Sequence, residues 1–199
     1  MNDLQKETTV VLVKPDGVKR GLAGEVISRF EKMGLKIIAL KMVWADKEMA
    51  AKHYPESRAD LMKAIGEKTL ATYEKYGRDP KEEFGELSAQ KIGRMVNKWN
   101  IDFITSGPVV AILLEGAHAI DNVRALAGNT LPVFAAPGTI RGDFSIDSPA
   151  LANAKHRAVR NIIHASGNPE EAKYERQLWF REGEVVDNYK RTDEEIMFE

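Results

Sequence analysis

The run Pro108-Val109-Val110-Ala111-Ile112-Leu113-Leu114 limits what this chain can fold into more than any other stretch. It is short, apolar throughout and β-branched at its start, so it reads as a buried strand with no polar face to turn to water. Other elements must cover it. Two further segments share its texture: Thr8 to Val13, and Leu35 to Trp44. Between them Leu22, Val26, Ile27, Phe30 and Met33 follow helical spacing, and Gly34 supplies a stop. The string Lys14-Pro15-Asp16-Gly17 predicts a loop that carries Lys14 away from the first strand.

Asp46 is positioned to cap a short helix holding His53 and Tyr54, closed by Pro55. Residues 56–99 are charged and punctuated by Gly66, Gly77 and Asp79-Pro80. Patches at Leu61-Met62-Ile65 and Leu87-Ile92-Met95-Trp99 predict two or three surface helices there. After the buried strand, Ile120, Val123 and Ala127 predict a helix ending by Gly128. Asn129 to Arg157, rich in proline and glycine, predicts a long loop of the kind that carries function or is disordered. Arg160 to His164 is a short apolar segment, and Ala165 to Asn168 a turn. A helix then runs to about Trp179, with Asn168 as N-cap and Pro169 as first residue. Strands separated by helical crossovers predict an α/β sandwich, with helices packed on a small sheet.

The 199 residues fit one domain, and 43% apolar content with 30% charge excludes a disordered chain. A formal net charge of −1 gives no general attraction to nucleic acid or membrane, so phosphate must be met by a few placed cations. The absence of cysteine excludes disulfides, thiolate metal sites and cysteine nucleophiles. Met1 to Glu7 lacks the layout of a signal peptide, and no apolar run approaches the about 18 residues of a membrane span. A cytoplasmic protein is expected, with no membrane or nucleic-acid partner.

Neither a P-loop nor a G-x-G-x-x-G string occurs, which argues against those modes of nucleotide binding. There is no H-E-x-x-H, and the four scattered histidines do not suggest a metal cage. Of the four, only His164 sits where an apolar strand meets a turn ahead of a capped helix, whose N-terminus favours a nearby anion. Neutral imidazole can capture a phosphoryl group and release it again. From spacing alone, a hydrogen-bonded strand-end histidine is the commoner reading of such a residue. Glu175 falls on the following helix in line with Ala172 and Trp179; it either faces inward to orient His164, or pairs near the surface with Lys173 or Arg176. Asn161 lies three residues before His164, on the opposite face of a straight strand, so the chain must bend if both serve one site. Lys14, Arg124 and Arg141 are the candidate phosphate cations, Arg141 in a Gly-rich loop suited to close bidentate contact.

The strings "VLVKPDGVKRGLAGEVISRFEKMGLKI", "HY", "SGPVVAILLEG", "PGTIRGDF" and "NIIHASG" followed by "LWF", in this order, resemble the nucleoside diphosphate kinase family over residues 8–55, 103–144 and 160–189. The resemblance implies a single domain over 1–199 with a ferredoxin-like α/β fold: an antiparallel four-stranded sheet with helices, extended by insertions near 56–99 and 145–159. It implies Mg²⁺-dependent, ping-pong transfer of the terminal phosphate from a nucleoside triphosphate such as ATP to a nucleoside diphosphate. The Mg²⁺ would be carried by the nucleotide phosphates, not by protein side chains. His164 matches the family's nucleophile, phosphorylated on Nδ1, and Glu175 its orienting glutamate. Lys14, Tyr54, Arg124, Thr130, Arg141, Asn161 and Ser166 match substrate-side positions. The family's base-stacking aromatic has no clear counterpart: either Trp99 substitutes for it or the base clamp is rebuilt. A homo-oligomer is implied, although the 145–159 insertion adjoins the family's subunit-contact loop near 129–140.

Overall fold

The computed structural model describes residues 6–85 and 88–198. The chain opens with β1 (Glu7–Val13), a one-turn helix α1 (Pro15–Lys19), α2 (Ala23–Lys32) and β2 (Lys36–Val43). Helices α3 (Lys47–His53), α4 (Ala59–Lys75), α5 (Pro80–Phe84) and α6 (Ala89–Ile104) lead to β3 (Val109–Gly116). Then follow α7 (Ala119–Ala127), α8 (Ile140–Phe144), α9 (Pro149–Asn153), β4 (Ile163–Ala165), α10 (Pro169–Trp179) and α11 (Thr192–Phe198). The strands form one antiparallel sheet in the order β2-β3-β1-β4, as the resemblance implied.

Both faces of the central strands are covered, which explains the unbroken apolar runs Val10–Val13 and Val109–Leu114. Val11, Val13, Val110, Ile112 and Leu114 pack on one face against Val26 and Phe30 of α2 and Val123 of α7. Val10, Leu12, Val109, Ala111 and Leu113 pack on the other against Ala50 of α3, Ile104 of α6 and Trp179 of α10. Successive side chains leave opposite faces of a strand, so two covered faces require an apolar residue at every position. Each such side chain, fully buried, contributes about 1.5–3 kcal/mol.

Several predicted loops are more ordered than expected. Lys14 leaves β1 as the N-cap of α1, not in a loop; Pro15 starts the helix without losing a hydrogen bond, and Val18 N donates to Lys14 O at 3.0 Å. The stretch from Asn129 to Arg157 contains a 3-10 turn at Pro132–Phe134 together with α8 and α9. Thr139 caps α8 by accepting from Gly142 N, and Ser148 caps α9 by accepting from Leu151 N, with Pro149 as first residue. Asp147 pins this stretch by accepting from Arg157 (2.5 and 3.1 Å) and from Arg160 N (2.7 Å). The final strand covers only Ile163–Ala165, against Val11–Val13.

Residues 56–99 supply α4, α5 and most of α6; Leu87, part of one predicted patch, lies outside the described residues. These helices are more than a surface layer, because Tyr73, Phe84 and Ile92 form a small core of their own with Leu70, Met95 and Trp99. After α10 the chain returns along β2: Val186 N donates to Ile38 O at 2.7 Å, and Tyr189 Oη to Ile37 O at 2.6 Å. The register of β2 on β3 shifts between Ile37 and Ala39, so Ile38 lies outside that ladder and its carbonyl serves the returning chain. No described helix is long and apolar enough to cross a membrane.

Helices α4 and α6 meet through two glycines. A Cβ on Gly66 would fall 1.7 Å from Ala89 O, and one on Gly93 1.8 Å from Met62 O. Gly93→Ala should therefore force the helices apart and destabilise the protein by about 1–3 kcal/mol, the usual scale of overpacking. Gly24→Ala, which meets nothing within 4 Å, should be neutral or slightly stabilising. Urea unfolding of the two variants distinguishes them.

Candidate active site

The short β1/β4 ladder builds the site. Leu12 is paired with His164, and directly paired residues share a face, so His164 lies on the side covered by α3 and α10. Asn168 caps α10 by accepting from Glu171 N at 2.8 Å, and Pro169 is its first residue, as predicted. The helix turns Ala172, Glu175 and Trp179 inward. His164 Nε2 is 2.7 Å from Glu175 Oε1, and Ser166 Oγ donates to Glu175 Oε2 at 2.6 Å while accepting from Val10 N at 3.2 Å. One carboxylate thus bridges two side chains of one strand end. With Glu175 as acceptor, the proton of neutral His164 sits on Nε2 and the lone pair on Nδ1. No hydrogen bond among the described residues uses Nδ1, and the side chain keeps 19% exposure.

The sequence named only Tyr54 from the His-Tyr pair, but His53 is part of the same cluster. Its ring centroid is 4.4 Å from that of His164, nearly perpendicular, and 4.5 Å from that of Tyr54. Trp179 Nε1 donates to His53 Nδ1 at 3.3 Å, and the same nitrogen is 3.7 Å from Glu175 Oε1. Burial above all, then the nearby His164 and Lys14, holds His53 well below the usual histidine range, so it is neutral. Burial, then the Glu175 charge, pushes the Tyr54 phenol above the usual tyrosine range, leaving it a protonated donor. Two histidines expected to be scattered are therefore neighbours. Ligand atoms of His53, His164 and Glu175 lie within 4.8 Å of one another, a set that could hold a metal such as zinc. The facing nitrogens, however, are already engaged by Trp179 and Glu175.

The predicted bend exists. Ile162 adopts φ +68°, and Ile163 N donates to Asn161 O at 2.7 Å, closing a three-residue γ-turn. Asn161 Oδ1 thereby accepts from Lys14 Nζ at 2.6 Å, and Asn161 Nδ2 donates to Thr130 O at 2.7 Å. Arg141 lies in α8, buried, and donates to three carbonyls: Gly128 O at 2.7 Å, Ile163 O at 2.9 Å and Asn161 O at 3.3 Å. It braces the turn as much as it offers charge. Arg124, on α7, is exposed, and its guanidinium makes no hydrogen bond or ion pair with any described residue. It is nonetheless a close neighbour, because its charge, after burial, lowers Arg141 to about 10. Burial and then Arg141 lower Lys14 to about 8, with Asp16 opposing.

The face of Trp99 proposed for a base is partly used. Phe84 stacks on it at 6.2 Å and His156 meets it edge-on at 5.9 Å. Trp99 and His156 border a cleft of about 220 Å³ that is also lined by Phe103, Arg157, Ala158 and Arg160. Lys14 Nζ and the Arg160 guanidinium lie 6.0 and 5.7 Å from the Phe103 centroid.

Residues 7–64 and 62–185 match the family model described as nucleoside diphosphate kinase. A nucleoside diphosphate kinase of Pyrobaculum aerophilum is 48% identical over 181 residues, 91% of this chain and 98% of that one. One of Archaeoglobus fulgidus is 42% identical over 193 residues, 97% of this chain and 98% of that one. The crystal structure of an NDP kinase from Pyrobaculum aerophilum superposes with a TM-score of 0.87 at 46% identity, covering 92% of this chain and 100% of that one. A transition-state mimic of nucleoside-diphosphate kinase from Borrelia burgdorferi, with bound vanadate and ADP, gives 0.77 at 39% identity and 96% of each chain. Matched nearly end to end in sequence and in the ferredoxin-like fold, this chain belongs to the nucleoside diphosphate kinase family, enzymes that move phosphate between nucleotides.

Proposed function

We propose that the protein transfers the terminal phosphate of a nucleoside triphosphate such as ATP to a nucleoside diphosphate in two steps, through a phosphate carried on His164. The observation that carries this reading is the 2.7 Å contact of His164 Nε2 with buried Glu175, which leaves the Nδ1 lone pair for the substrate. In the first step Nδ1 forms a bond to the terminal phosphorus, the bond to the bridging oxygen breaks, and its electron pair leaves with the diphosphate. Positive charge developing on the imidazole is met by Glu175 through Nε2–H. In the second step a different diphosphate takes the phosphoryl group and the lone pair returns to Nδ1.

Lys14, Arg124 and Arg141 meet the phosphates, with Arg124 uncommitted and Lys14 aligned by Asn161. Tyr54 and Thr130 lie on the substrate side, and Ser166 keeps Glu175 in place. With a loose transition state, such positioned charge supplies most of the catalysis. Mg²⁺ belongs to the substrate in this reading. The buried carboxylates nearby, Glu175 and Asp16, already accept from His164, Ser166 and Ile162 N, so the donor set suits phosphate better than a resident hard cation. The relative captured with vanadate and ADP supports the same chemistry. A stripe of exposed Leu40 and Met42 on β2 and Trp44 just beyond it supports a homo-oligomer.

Incubation with labelled ATP and Mg²⁺ should place acid-labile phosphate on His164. His164→Ala should abolish labelling and reduce phosphate exchange by roughly 10³-fold or more, the scale of losing a covalent nucleophile. Exchange at the wild-type rate would sink the reading. A second expectation concerns pH. Lys14, lowered to about 8, loses its charge in the free enzyme as pH rises through that value. The alkaline limb of kcat/KM, which reports the free enzyme, should therefore fall near pH 8. In Lys14→Arg, whose charge persists, the limb should move to higher pH; a limb that stays in place assigns it to another group.

A further inference from the structure

We propose that Asp16 is a positioning residue for phosphoryl transfer: by accepting the amide proton of Ile162 it holds the left-handed turn that brings Asn161 and His164 into one site. The proposal rests on His164 being the nucleophile and on Asn161 and Lys14 serving the substrate.

Ile162 is poorly suited to its conformation. A β-branched residue at φ +68° is a steric outlier, and such a residue persists only where its surroundings over-determine it. Four contacts do so here. Asp16 Oδ2 accepts from Ile162 N at 3.0 Å, and Ile162 O accepts from Lys14 N at 2.8 Å. Arg141 spans the turn, from Nε to Asn161 O and from Nη2 to Ile163 O. Asp16 alone takes up the N–H of the strained residue. Without it a buried amide would lack a partner, and that loss would favour the extended chain that puts Asn161 and His164 on opposite faces.

The carboxylate itself has little other employment. It is buried, its Oδ1 has no hydrogen-bond partner, and no described cation forms an ion pair with it. Burying a carboxylate for one amide is costly. That amide belongs to the residue on which the site's geometry turns. Helix α1 also delivers Asp16 at close range, because a Cβ on the adjacent Gly17 would lie 2.8 Å from Val13 Cγ1 and 3.1 Å from both Ile162 Cγ2 and Ile162 O.

The test compares Asp16→Ala, Asp16→Asn, Ile162→Gly and the Asp16→Ala/Ile162→Gly double variant in the full chain. Phosphohistidine formation and kcat/KM are measured below the melting temperature of every variant. Asp16→Ala should slow phosphohistidine formation about 10- to 100-fold, the scale for a reacting group displaced by an ångström. Asp16→Asn keeps an oxygen acceptor for Ile162 N–H and should recover most of the rate. Glycine adopts positive φ without steric cost, so Asp16→Ala should cost much less when combined with Ile162→Gly than alone. Should Asp16→Ala not fold, the double variant is still expected to fold and to take label.

Wild-type rates in folded Asp16→Ala, an Asp16→Asn no better than Asp16→Ala, equal penalties in the two backgrounds, or a double variant that takes no label would each overturn the proposal. Wild-type protein that never acquires phosphate on His164 overturns the parent reading, and this one with it. Wild-type labelling with an unaffected Asp16→Ala overturns this one alone.

Discussion

Three residues of β-pairing, Val11–Val13 against Ile163–Ala165, determine where the rest of the site can lie. They set His164 beside Leu12 on the α3/α10 face, and they release Lys14 from the end of β1 beside the bend at Ile162. Ser166 continues the contact with β1 by donating N–H to Val10 O and hydroxyl to Glu175. The strand is short because Ile162 leaves the extended conformation just before it. Register therefore matters more here than length. A slip by one residue would turn His164 toward α2 and α7, away from Glu175, and bring Ile163 into the site.

Much of this framework could be read from residue order. Continuous apolar runs marked the central strands, since only a strand covered on both faces tolerates Val110-Ala111-Ile112-Leu113-Leu114. The spacing of Ala172, Glu175 and Trp179 showed one face of a helix and left open which face it was; the structure puts it inward. Asn168-Pro169 announced the start of α10, and Ser148-Pro149 is the same pattern at the start of α9, overlooked because helices of five residues leave no periodicity to detect. Spacing also showed that a bend was needed if Asn161 and His164 were to serve one site. It could not say where, because isoleucine is among the least expected residues at positive φ. The turn comes from partners distant in sequence, Asp16 and Arg141, and no local pattern encodes them. His53 was missed for a related reason: one histidine on a short helix gives no hint that α10 will pack Trp179 against it.

Residues 56–99 and the stretch after Phe144 were read as separate insertions, yet they touch. Arg78 donates to Ala150 O, and Trp99 of α6 meets His156. Two glycines permit the close crossing of α4 and α6 beneath them. The cleft between these segments opens beside Phe103, itself near Lys14, so both segments border the end of the molecule where Lys14 lies.

Lys14, Arg124 and Arg141 lie near one another with no ion-paired carboxylate on any of them among the described residues. Arg141 is satisfied by carbonyl dipoles, which orient it without cancelling its charge. The cluster thus carries a standing repulsion that a bound polyanion would relieve. Linkage requires that whatever relieves it also favours the folded state, so resistance to unfolding in a cell would track the supply of phosphorylated metabolites. On the proposed reading, an enzyme of this design would be its own gauge of the nucleotide pool, firmer when substrate is abundant and looser when it is scarce.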